Sequence, residues 1–494
     1  MKRIFILILL VINLYSLLYS QAYSPPLRLE IETPLGEFPF QIVPVHRNGV
    51  ALFYETGFVE NKQMKWSIVL FDTNLNKTTT SDFLIEKEMN VEAFNADEEN
   101  VFICLQNSYR RKTLYNTVLI HYSLPENKIK IFSFNLRDRE EVQYLYLYKN
   151  CVLFTTYYDK KEEIFLLDLK TITYKPLHTD NSLPYSLQFF HADSISQSLW
   201  VGSLLNVKQQ SKLILHQLDS NGHTLFQKEI DFDKQFRVNS CKWVMTDSGQ
   251  ALIVGTYVNA NEVNVKNSEE FNTGIVSLSF SKDKIDTTLF YNFLFLTNEN
   301  YMRSNKQDVS LNLHLVINDI VHNDSLYVFV AEVFYPEYRQ EYAAGYGMYG
   351  YASAPTTVFA GYRYQIAYVL VFNKYGELLW NTQFQYKDLM VKSLRNILHA
   401  HIDDENNILL YYGLGDEVTT TVLNDKNVVQ SVDKIPMELL APGEQILQNY
   451  TAFCKHWYQD YFIYYGYQTI LSPKSNKNQK RKRDVLFINK LVYK

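Results

Sequence analysis

The chain has 494 residues, 47% hydrophobic, 20% charged and 15% aromatic, which excludes a disordered protein, and its 17 Gly and 13 Pro exclude a collagen-like or linker protein. Lys plus Arg (48) nearly balances Asp plus Glu (53), so no global charge attracts nucleic acid. Four Cys exclude a disulfide-built scaffold, and 38 Tyr with 31 Phe favour strands, because flat aromatics suit a pleated, half-buried surface.

Residues 1–20 read as a signal peptide. Lys2 and Arg3 precede an apolar run from Ile4 to Leu18, and the mature chain is expected to start near Gln21. A retained membrane anchor is the other reading; Asn13 and Ser16 interrupt the run, and it is short for a span. Removal of the segment takes the formal net charge from −5 to −7. The expected location is the periplasm or cell surface, with no transmembrane span after cleavage. Cys104, Cys151, Cys241 and Cys454 lie far apart without metal-ligand spacing, so they are expected as buried single thiols inside strands.

From residue 21 to 494 one pattern recurs. A polar turn rich in Asp, Asn or Gly is followed by a burst of β-branched and aromatic residues. The bursts centre on Leu52, Phe102, Leu153, Trp200, Leu252, Val328, Leu409 and Phe462. Their separations are 50, 51, 47, 52, 76, 81 and 53 residues. Each burst has an apolar strand before and after it, and in most units a short fourth strand follows. Four antiparallel strands per unit at this spacing predict the blades of a β-propeller. The fold class is therefore all-β: eight four-stranded blades in a single domain, or seven if one irregular unit among the fifth to seventh is not a blade. The last unit stops after its third strand, while LRLEIE (27–32) alternates cleanly yet belongs to no unit. The N-terminal strand is thus expected to complete the final blade and close the ring, hiding sheet edges.

The turns LDSNGHTLF and FNKYGELLW join third to fourth strands, with Gly222 and Gly376 supplying a permissive backbone. They resemble the Asp-x-x-Gly-x-x-x-Trp-like turn of quinoprotein-like and related bacterial propeller repeats. Gly376 with Trp380 fits that pattern well, whereas Gly222 is followed by Phe226. The resemblance covers two short segments and implies the fold alone. The Tyr, Asn and Lys usage with a short export signal is similar to that of envelope proteins of the Bacteroidetes type.

The long insertions fall between second and third strands: 258–273, 334–364 and 468–483. They are expected on one face, which in repeat proteins is commonly the binding face. Tyr342, Tyr346, Tyr349 and Tyr351, interleaved with glycines, suit an adaptable recognition surface. Lys474, Lys477, Lys480, Arg481, Lys482 and Arg483 place positive charge on an otherwise acidic protein. The partner-binding candidates are accordingly Tyr342, Tyr346, Tyr349, Tyr351, Lys480, Arg481, Lys482 and Arg483. A loop folded over the ring and a solvated hairpin are the corresponding structural readings.

Catalytic signatures are sparse. Gly345, Gly347 and Gly350 spell G-x-G-x-x-G, but in a Tyr-rich loop without the strand and helix a dinucleotide site needs. No Walker, HExxH or GxSxG motif occurs. His46, His191, His314, His399, His401 and His456 are expected on first strands lining a central channel, at differing depths, so no metal centre is assigned. Trp66, Trp200, Trp243, Trp380 and Trp457 read as packed core. The expectation is an exported, non-catalytic binding or scaffolding propeller of the cell envelope. It would need no cofactor and no nucleic acid, and would recognise an envelope protein or polysaccharide through its long-loop face. The alternative is a hydrolase or lyase acting on a glycan in the central funnel.

Overall fold

The computed structural model describes residues 27–492, apart from internal segments of which 298–311, 342–355, 263–270 and 474–481 are the longest. The described residues are almost wholly β, arranged in eight antiparallel sheets that follow one another along the chain. The second sheet shows the plan: Met89–Ala96, Asn100–Asn107, Leu114–Ser123 and Lys128–Arg137 pair in sequence order. In the sixth sheet the first strand is split, and Leu315–Ile317 and Val321–His322 both pair with Tyr327–Glu341.

Every repeat centre falls on the second strand of its sheet. The reason these strands are nearly continuous in apolar residues is that each sheet is covered on both faces. Side chains alternate across a strand, so neighbouring residues serve different cores. Ala51 and Phe53 pack towards the second sheet with Val101 and Ile103, whereas Leu52 packs the other way. Phe102 meets Val152 and Phe154 of the third sheet. The same alternation continues through Leu153 with Leu199 and Val201, Trp200 with Trp243, and Leu252 with Phe329. It goes on through Val328 with Ile408 and Leu410, then Leu409 with Phe462 and Tyr464. One further core joins Trp457, Ile463 and Ile488 of the eighth sheet to Ile42, Leu52 and Phe71 of the first. Eight sheets are therefore linked by eight cores, and the last core returns to the start.

The eighth sheet takes its outer strand from the other end of the chain. Leu27–Thr33 pairs antiparallel with Lys482–Val492, from Leu27 opposite Lys490 to Thr33 opposite Asp484. Arg28 donates to Gln468 (2.8 Å) and Glu30 (2.6 Å), and Glu30 also pairs with Arg483 (2.7 Å). Between eighth and first sheets, the Trp457 indole donates to the Gly49 carbonyl (3.0 Å) and Lys490 to that of Thr73 (2.9 Å).

Several expectations are met locally. The four thiols are free and buried, and the five Trp are buried. Gly222 and Gly376 have φ of 77° and 79°, the left-handed region their turns require. The insertions need correction. Residues 334–341 and 356–364 continue the second and third strands of the sixth sheet as a paired extension, because their alternating aromatics can pair across the hairpin. Residues 468–471 and 482–483 likewise continue strands of the eighth sheet. Among the described residues no helix is long and apolar enough to cross a membrane.

Candidate functional site

First strands of successive sheets approach one another, so the residues they expose share a central space. Two adjoining cavities open there between the sixth, seventh, eighth and first sheets, of about 520 and 900 Å³. They share Arg395, Gly413, Ala452, Phe453 and Lys455. The walls come from the connection between sixth and seventh sheets, the second-to-third-strand turn at 413–415 and the starts of first strands. These belong to the face on which the long insertions were expected.

Arg395 is held from both sides. Its backbone N–H donates to the Tyr364 hydroxyl (3.2 Å), which donates back to its carbonyl. The guanidinium lies over the Phe453 ring at 4.4 Å. Its buried Nε and Nη1 have no hydrogen-bond partner. Burial lowers its pKa. Lys455 stays open to solvent but is ringed by protein; desolvation, then the charge of Arg395, lowers its ammonium pKa. No ion pair to either group exists among the described residues. His399 beside them is pushed down to about 4 by burial, then by Lys455 and Arg395. Two cations without a counter-ion are costly unless an anion joins them.

The segment carrying Arg395 is fixed by a carboxylate. Glu332, fully buried on the second strand of the sixth sheet, accepts from the backbone N–H of Ile397 (2.8 Å) and Leu398 (3.1 Å) and from the Tyr386 hydroxyl. Burial raises its pKa to about 7 against those hydrogen bonds. Gln106 does the same task between second and third sheets, accepting from Val142 N–H (2.9 Å) and donating to the Glu140 carbonyl (3.1 Å). Glu162 accepts from Leu187 N–H (3.1 Å) and Ser211 from Val238 N–H (2.9 Å) at the next two junctions.

On the first strand of the second sheet, Glu92 and Phe94 are both exposed, and Phe94 lines the larger cavity. The Glu92 pKa is raised by burial, then by Glu141 on the first strand of the third sheet.

Of the residues expected to bind a partner, Tyr342, Tyr346, Tyr349, Tyr351, Lys480 and Arg481 lie outside the described residues. Lys482 is exposed at the start of its strand. Arg483 pairs with Glu30 (2.7 Å) and Glu444 (2.9 Å), stapling the closing strand. Of the six histidines, His191, His399, His401 and His456 do lie on first strands, while His46 sits in a turn and His314 just precedes a strand. His401 and His456 stack at 5.1 Å. No group of three metal-ligating side chains occurs among the described residues. Arg395, Lys455 and Glu332 escaped sequence reasoning. The available signal was Lys455 beside His456 on a strand already expected to face the channel.

No protein family matches the sequence, and no curated protein does. Among solved structures, the chain is similar to the β-propeller domain of the Trilobed protease from Pyrococcus furiosus, with 9% identity, TM-score 0.36 and coverage of 83% of this chain and 96% of that one. It is similar to the polysaccharide lyase Uly1, with 8% identity, TM-score 0.41 and coverage of 92% and 100%. It is also similar to the WD40 domain of SCAP from fission yeast, with 8% identity, TM-score 0.39 and coverage of 92% and 98%. At these values no residue correspondence is drawn. They do correct one expectation: the β-propeller domain of a protease and a polysaccharide lyase stand among the similar structures, and the reading of this chain as lacking catalytic activity is withdrawn.

Proposed function

We propose that the protein is an exported recognition protein of the cell envelope, built as an eight-bladed propeller closed by its N-terminal strand. It takes an anionic group of a protein or polymer partner at the channel mouth on the long-loop face. The ring reading is supported by the eight successive cores and by the pairing of Leu27–Thr33 with the last sheet. The ligand reading is carried by one observation: Arg395 and Lys455 line the same two cavities without a counter-ion. An anion between them would restore the Coulomb balance that burial removes. Dextran sulfate is the probe. It should bind the protein with an affinity that falls as salt rises, and the R395Q/K455Q double variant should lose that binding while unfolding at a similar temperature. Equal binding by the variant would sink the assignment. Mass analysis of the mature protein from its native host, with a start near Gln21, would support export.

Glu92 favours a second reading. A carboxyl whose pKa is raised by desolvation, then by a neighbouring carboxylate, is the type of group that general-acid chemistry on a glycan draws on. Under this reading the protein depolymerises a polysaccharide in the funnel, and E92Q abolishes that activity while dextran sulfate binding persists.

A further inference from the structure

The larger cavity is not lined by cations alone. Around Arg395 and Lys455 it presents aromatic rings and neutral amides, and no acidic residue lines it. Phe38 is 44% exposed and is held edge-on between Tyr450 (4.8 Å) and Tyr467 (4.7 Å). Tyr467 is itself fixed, its hydroxyl exchanging hydrogen bonds with the Phe40 backbone N–H (2.9 Å) and carbonyl (3.0 Å). The ring cluster is therefore a rigid platform. Gln448 and Asn449 stand beside it on the first strand of the eighth sheet. Gly413 and Gly466 keep the wall low: a Cβ at Gly466 would lie 2.7 Å from Ala452, and one at Gly413 would lie 2.3 Å from the Tyr464 ring.

We infer that the ligand is an acidic oligosaccharide, with a uronate carboxylate between Arg395 and Lys455 and an adjoining sugar ring on the Phe38–Tyr450 platform. This rests on the anion-binding reading above and names its ligand class. A sugar ring offers apolar C–H faces to aromatic side chains and hydroxyls to amides, and a uronate adds one carboxylate per ring. The site supplies those three chemistries side by side. Lys392 adds a third cation to this wall, and what favours a sugar over an acidic peptide is the aromatic platform and the neutral amides set directly beside the cations.

The test is calorimetric titration of the full chain with trigalacturonate, maltotriose and a Glu-rich tripeptide, with dextran sulfate as control. Trigalacturonate should bind at least tenfold more tightly than either other trimer. K455Q should weaken it tenfold or more. F38A should weaken it several-fold while unfolding at a temperature close to the parent's, which shows that the variant folds. If the tripeptide or maltotriose binds as tightly as trigalacturonate while dextran sulfate still depends on Lys455, the glycan inference fails and the anion seat stands. If F38A leaves trigalacturonate binding intact, the platform is overturned. If neither dextran sulfate nor trigalacturonate binds, both readings fall together.

Discussion

The second and sixth sheets differ from the seventh and eighth at one position, four residues past the repeat centre. In the second and sixth it holds Gln106 and Glu332, whose side chains cross to the next sheet and satisfy its backbone. In the seventh and eighth it holds Gly413 and Gly466, and the two cavities open there. The same register slot thus either ties two sheets together or makes room. Buried backbone N–H groups must find a partner, so a side chain of suitable length is retained where the junction is closed. Where it is absent, cations from the adjoining connection face the space instead.

Breaking the tied slot should have the largest effect. E332A leaves the N–H groups of Ile397 and Leu398 and the Tyr386 hydroxyl without an acceptor, at about 1–3 kcal/mol for each group stranded. Denaturant unfolding should show a clear loss, and the Arg395-dependent binding should fall with it. Q106A should cost less, since it strands one backbone N–H, that of Val142, and one carbonyl, that of Glu140, rather than three donors. Filling the open slot comes next. G466A brings a methyl against backbone, 2.8 Å from the Thr451 oxygen, and should cost about 1–3 kcal/mol by overpacking. Stability close to that of the parent would mean that the wall yields and that the glycine is not needed for close approach.

Protonation sharpens the contrast in opposite directions. The Glu332 carboxyl is raised to about 7 in the folded protein, so its contribution is fully present below its unfolded value and is lost as pH rises from about 4.5 through 7. E332Q keeps an acceptor and should flatten the unfolding free energy across that window, where one unit corresponds to about 1.4 kcal/mol. His178 and His216, buried in the fourth unit away from the cavities, are held near 4 by burial. Their neutral forms are the native ones, so their contribution is complete above about 6.5 and is lost as pH falls towards 4. H216L should make the acid-side loss shallower, the smallest effect of the set; an unchanged acid limb would show that other groups govern it.

The repeat centres were legible because a strand covered on both faces must be continuously apolar, and Leu52 to Phe462 mark such strands in all eight sheets. LRLEIE was legible for the opposite reason: a strand with an outer edge alternates. The slot occupied by Gln106, Glu332, Gly413 and Gly466 was not legible. A lone Glu or Gly inside an apolar run gives no sign of what the next sheet places opposite it. Arg395 precedes its strand in a connection, where charged residues are usually solvated, and only the packing of Tyr364 and Phe453 turns it inward. The aromatic run 356–364 looked like an insertion because strand pairing depends on register between two segments, which a single string does not display.

The pairing of Leu27 with Lys490 has a consequence for how the molecule is made. Leu27–Thr33 is synthesised early yet is among the last strands to find its place, since its partner is made 463 residues later. Contacts so distant in sequence slow folding. Until the C-terminus emerges, the nascent molecule carries an orphaned strand at one end and an unfinished sheet at the other. A chain terminated before residue 482 would leave that strand without its partner and the preceding sheet with a raw edge, a template for aggregation rather than a slightly shorter protein.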